Sequence, residues 1–124
     1  MTPTDPTLEQ QTLNTALGYF NAWTARDIDG AMRFVADDVV FDAPFGRRKG
    51  AAALRKSLES FMEFFTGVEL IDSFTNEHDA AIIYLIQTAT VTDAPACEYL
   101  GIEQGKITYK RLIFDTGAFP SKAN

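Results

Sequence analysis

Few side chains in this sequence can do chemistry, and their placement narrows what that chemistry could be. Asp42 follows the apolar run Val39-Val40-Phe41, where loss of hydration would raise its pKa toward that of a usable general base. On the outer face of a strand, the same carboxylate would be paired or solvated. Tyr19 lies between Ala16 and Trp23 at the edge of an apolar helical stripe, from which a phenol can reach an interior or water. A carboxylate base and a phenolic donor could together move a proton on a carbonyl-bearing molecule. Gln87 and Thr88 interrupt an otherwise apolar strand, so alternation turns one of them inward. An inward Gln87 needs hydrogen-bond partners, a ligand among them; an outward one fits a sheet face at a dimer interface. The single cysteine, Cys97, has no adjacent base to make it a thiolate and reads as a small buried hydrophobe. The single histidine, His78, falls in the turn-like run Asn76-Glu77-His78-Asp79.

The elements that must position these residues follow from periodicity. Residues 7–26 predict a helix: Leu13, Ala16, Leu17, Phe20 and Trp23 recur at three- and four-residue steps. Thr7 and Gln10 form a capping box, with Asp5-Pro6 as a competing start. Asp27 caps a second helix over 28–35, and residues 39–43 form a strand with Pro44-Phe45-Gly46 as its exit. Arg47-Arg48-Lys49 reads as a solvated connector. Gly50 opens a third helix with Leu54, Leu58, Phe61, Met62 and Phe65 on one face, and Gly67 is its stop. Residues 68–75, 80–91, 96–103 and 106–115 are rich in β-branched and aromatic residues, and short turn-like separators make them an antiparallel meander. On the last strand Tyr109, Arg111 and Ile113 share one face and Lys110, Leu112 and Phe114 the other. The tail after Phe119 is small and polar and is expected to fray. The expected fold is α+β, one domain over residues 1–124: a cone-shaped α+β barrel with three N-terminal helices on a strongly curved antiparallel sheet.

Composition excludes several classes of function. A net charge of −6 and a pI near 4.6 disfavour nucleic acid, whose phosphates need a positive surface. No apolar run is long enough for a membrane span, and the polar start lacks the pattern of a signal peptide, so a cytoplasmic protein is expected. One cysteine allows no internal disulfide, and neither clustered His/Cys ligands nor a Gly-rich phosphate loop points to a metal or cofactor. The ten phenylalanines could fill a core or line an apolar cavity. Strands from Ala80 onward are apolar on both sides, which predicts a homodimer through the outer sheet face.

Tyr19, then Arg26-Asp27-Ile28-Asp29, then Ala36-Asp37-Asp38, then Ala43-Pro44-Phe45-Gly46 run in an order and spacing that resembles bacterial ketosteroid isomerases. The chain from Thr7 to Asp115 thereby resembles the nuclear-transport-factor-2-like superfamily. That superfamily also includes SnoaL-like polyketide cyclases, limonene epoxide hydrolases and non-catalytic binding modules. The resemblance implies a pocket but not the family's reaction. Ala43 stands where the isomerases place their general base, Asp42 lies one residue earlier, and Cys97 aligns with their second oxyanion donor. No Arg-x-Asp of the epoxide-hydrolase kind occurs. Tyr19 alone matches in type. The resemblance implies ligand contacts from Trp23, Phe45 and Phe61, and from Cys97, Leu112 and Phe114 on the sheet, beside the Gln87 contact that alternation allows. Arg111 then belongs to the convex, dimerising side. The expected function is a pocket for a small apolar molecule, with cofactor-independent isomerase- or cyclase-type proton transfer by Asp42 as base and Tyr19 as donor. The alternative is a non-catalytic ligand-binding or dimerisation module.

Overall fold

The computed structural model describes residues 7–118, so the Asp5-Pro6 helix start and the tail after Phe119 lie outside the described residues. Helix α1 spans Leu8–Thr24, α2 Ile28–Met32 and α3 Ala51–Met62. The strands are β1 Val35–Ala43, β2 Gly46–Lys49, β3 Phe65–Thr75, β4 Asp79–Thr88, β5 Ala94–Glu103 and β6 Lys106–Phe114.

The α1 cap is the reciprocal pair expected of Thr-x-x-Gln: Gln10 N donates to Thr7 Oγ1 at 3.1 Å, and Thr7 N to Gln10 Oε1 at 3.0 Å. Thr12, Thr15, Ala16, Tyr19, Phe20 and Trp23 form the buried stripe of α1, which packs across the sheet from β3 to β6. Gly18 on α1 leaves room for the Phe34 ring; a Cβ there would sit 2.5 Å from Phe34 Cζ.

Several boundaries differ from those periodicity predicts, among them the end of β4 at Thr88 rather than residue 91. Helix α2 ends at Met32 rather than residue 35, because Phe34 O accepts from Ile107 N at 2.7 Å and Val35 already pairs with β6. Tertiary pairing overrides a local helical pattern there. Arg47-Arg48-Lys49 is no connector: it is β2, the return strand of a hairpin in which Ala43 faces Gly46 and Phe41 faces Arg48. Gly50, with φ of 96°, closes that hairpin, and its N–H donates to Val39 O. Helix α3 stops at Met62, so Phe65 begins β3 and Gly67 lies inside that strand, beside a bulge.

The sheet order is β2-β1-β6-β5-β4-β3. Strands β3 to β6 form the expected antiparallel meander, while β1 joins β6 in parallel. Edges remain at β2 and β3, so the sheet is mixed and open rather than a closed barrel. Burial alternates along β4 and β5, with Ala80, Ile82, Tyr84, Ile86, Ala96, Glu98, Leu100 and Ile102 toward the helices. The core between the layers is aromatic: the Trp23 ring lies within 6.0 Å of the rings of Phe20, Phe61, Phe65 and Tyr84.

Candidate functional site

Between α3, the end of α1 and the sheet lies a cavity of about 920 Å³. The side chains of α3 that line it, among them Ala53, Ser57 and Phe61, recur at helical spacing, and Leu54 and Leu58 are buried beside them. Strand alternation brings Phe41 and Ala43 from β1 and Lys110, Leu112 and Phe114 from β6 to the opposite wall. Phe45, 62% exposed, leans on Phe114 at a ring separation of 6.4 Å and forms a lip.

The lining is mainly apolar, yet its buried end carries charge. Lys110 Nζ lies 3.0 Å from Glu98 Oε1 and donates to Tyr19 Oη at 2.9 Å. The Lys110 and Glu98 side chains are 6% and 1% exposed. Burial by itself would depress the Lys110 ammonium, but the Glu98 carboxylate and then Tyr19 outweigh it and raise its pKa. Burial pushes the Tyr19 hydroxyl up to about 12, against the opposing pull of Lys110. Tyr84, also lining the cavity, is raised well above its usual range by burial and then by the Glu98 charge. Two buried polar atoms have no partner among the described residues, Glu98 Oε2 and Trp23 Nε1, and both belong to residues that line this cavity. An unsatisfied buried group is costly, on the order of 1–3 kcal/mol, and in a native fold asks for an explanation.

The sequence profile of the SnoaL-like domain matches residues 16–110. The chain belongs to the SnoaL-like family. Its fold is that of the nuclear-transport-factor-2-like superfamily. A structure from Kribbella flavida DSM 17836 is 42% identical, with a TM-score of 0.84 over 88% of this chain and 90% of that one. An NTF2-like protein of unknown function from Cytophaga hutchinsonii ATCC 33406 is 22% identical, with a TM-score of 0.77 over 95% and 98%. An LEH-like epoxide hydrolase from M. tuberculosis is 16% identical, with a TM-score of 0.76 over 90% and 88%. No curated protein matches the sequence.

In this SnoaL-like chain, five residues expected at the ligand site do line the cavity: Trp23, Phe45, Phe61, Leu112 and Phe114. Asp42 does not. Its neighbours Phe41 and Ala43 take the cavity side, and its carboxylate lies on the other face of the sheet. There it accepts from Arg47 through both oxygens at 2.8 Å, from Tyr109 Oη at 2.5 Å and from Arg111 Nη2 at 3.2 Å. The hydrogen bonds from Arg47 first, then that from Tyr109, hold it well below the usual carboxylate range. It is a weak base on the wrong side. No bulge rotates it inward, since Val40, Phe41 and Asp42 run in register with Tyr109, Lys110 and Arg111.

Tyr19 is fully buried and hydrogen-bonds the lining Lys110, but its phenol is not itself a lining group. Gln87 faces outward, its amide closed on Asp93 through Nε2–H to Oδ1 at 2.5 Å and Asp93 N–H to Oε1 at 2.9 Å. Cys97 also faces outward, between Ile83 and Ile113 on the neighbouring strands, where burial and then the Glu98 charge push its thiol up. The inward residue is its neighbour Glu98. Sequence reasoning passed over Glu98 and its pairing with Lys110, although a signal existed. Ala96, Glu98, Leu100 and Ile102 share one phase of β5, and a carboxylate among apolar residues in that phase is a buried charge needing a partner.

Proposed function

We propose that this chain binds a small, mostly apolar molecule in the cavity beneath α3 and moves a proton on it without a cofactor. The observation that carries the proposal is Glu98 Oε2, a buried carboxylate oxygen with no partner among the described residues, in an otherwise largely apolar lining. A buried ion pair gives little net stability relative to apolar packing, so its presence at a cavity end supports a role in chemistry. Glu98 Oε2 takes the proton from a carbon next to a carbonyl, and the C–H electron pair moves onto the carbonyl oxygen. The Lys110 ammonium has three N–H donors and spends two on Tyr19 and Glu98, leaving one for that oxygen. Return of the proton from Glu98 to another carbon completes an isomerisation. Tyr19 positions Lys110 and does not touch the ligand.

The test is solvent deuterium exchange, followed by NMR, into a panel of cyclic and unsaturated ketones bound to the protein. Exchange in the wild type should be lost in Glu98→Gln and slowed in Glu98→Asp, which keeps the charge for Lys110 but withdraws the oxygen. Undiminished exchange in both variants would remove Glu98 from the chemistry. The second reading is a binding module without turnover. It is favoured by the same Lys110–Glu98 pairing, in which one carboxylate oxygen is already engaged by the ammonium and the pair is complete without a ligand. Ketones that bind tightly and never exchange would select it.

The outer sheet face supports a homodimer as a further part of the proposal. It exposes Phe74, Tyr99 and Ile113 around the partly buried Ile83 and Leu85. Light scattering at micromolar concentration should give twice the mass of the 13.7 kDa chain, and a monomer mass removes the dimer. No helix among the described residues is long and apolar enough to cross a membrane.

A further inference from the structure

The charge around the cavity runs against the charge of the chain. The sequence carries a net −6, yet the cavity lining holds three cations, Arg48, Lys56 and Lys110, against one carboxylate, Glu98. Lys110 and Glu98 neutralise each other at the buried end. Arg48 and Lys56 are different. Both are exposed while bordering the cavity, which places them at its mouth. Neither has an ion pair or hydrogen bond among the described residues, although their sequence neighbours do. Arg47 is committed to Asp42, and Arg55 to Asp29 and Glu59. Arg48 reaches the mouth because the β1–β2 register sets it opposite Phe41, itself a lining residue.

We infer that the ligand is an organic acid, its apolar body inside the cavity and its anionic group at the mouth between Arg48 and Lys56. This rests on the proposed reading of the cavity as a binding site and adds the class of molecule. A concave, low-dielectric wall focuses the field of two uncompensated cations and concentrates anions at the opening of an otherwise acidic protein. A guanidinium also accepts a carboxylate in two-point geometry. A neutral ligand gains nothing from either side chain, and a cationic one is repelled.

Trp23 is the single tryptophan and lines the cavity, so its fluorescence reports occupancy. The probes are 4-cyclohexylbutanoate and its neutral amide, a pair matched in apolar bulk. The acid should bind roughly tenfold more tightly than the amide, a difference of about 1.4 kcal/mol. That ratio should fall toward one in Arg48→Gln/Lys56→Gln and at about 0.5 M salt, where charges are screened within a few ångströms. In Arg48→Glu/Lys56→Glu the amide should become the tighter ligand. Equal binding of acid and amide to the wild type, or a ratio that survives the double substitution, overturns the inference and leaves the binding site standing. If neither these compounds nor longer and shorter acid–amide pairs change the emission, the binding site falls and the inference with it.

Discussion

Lys110 Nζ and Glu98 Oε1 stand 3.0 Å apart on adjacent strands, both all but removed from water. Removing one partner strands the other charge in the interior. Lys110→Met should therefore cost about 3–5 kcal/mol in urea unfolding, and Glu98→Leu added to it should recover most of that loss. A cost below 1 kcal/mol for the single change would mean that water reaches the pair.

Asp42 lies in a cluster with Arg47, Tyr109 and Arg111 on the outer face, not at the cavity. Asp42→Asn should leave binding in the cavity unchanged, and a variant unable to bind would return this residue to the site. Its folded pKa is depressed, so its stabilisation is complete above the unfolded value near 4 and is lost as pH falls below it. The asparagine variant should be less stable at neutral pH and lose less stability on acidification to about pH 2. Acid unfolding curves that superimpose would contradict this.

At high pH the buried Tyr19 and Lys110 give the opposite slope. Tyr19 is raised to about 12 and Lys110 also lies above its usual value, so each keeps a proton in the fold that the unfolded chain releases. Stability should fall as pH climbs from about 10 toward 12. Tyrosinate absorbance from Tyr19 and Tyr84 should appear only as the protein unfolds. Tyr19→Phe removes the acceptor for a Lys110 N–H, should cost about 1–3 kcal/mol, and should flatten that alkaline slope.

Gly18 is where α1 meets Phe34. Alanine is worth about 1 kcal/mol over glycine in a helix, but the added Cβ would lie 2.5 Å from Phe34 Cζ, an overlap costing about 1–3 kcal/mol. Gly18→Ala should destabilise the wild type and stabilise Phe34→Leu. The change in sign, read from melting temperatures, isolates the contact.

The meander and the stripe of α1 were legible because each is a local repeat with one dominant period, and the capping box because its two residues lie three apart in the sequence. The partner of β1 was not: a parallel pairing with the last strand leaves no turn in the sequence to announce it, and it claimed Val35 from the end of the neighbouring helical pattern. The site was half legible for a related reason. Leu112 and Phe114 follow from simple alternation. Asp42 drew notice because it follows an apolar run, while Ala43 beside it shows which phase enters the cavity. Choosing between Cys97 and Glu98 required the phase of Ala96, Leu100 and Ile102, whereas the resemblance pointed to the neighbouring residue.

The seam between β1 and β6 also sets an order of events. On the ribosome, Phe41 and Ala43 emerge long before Leu112 and Phe114, and until then β1 has only the short β2 beside it. The wall that β6 gives the cavity is thus among the last things a nascent molecule acquires. A stalled or clipped product ending before Lys106 would present an unzipped apolar ribbon, open to chaperones or aggregation.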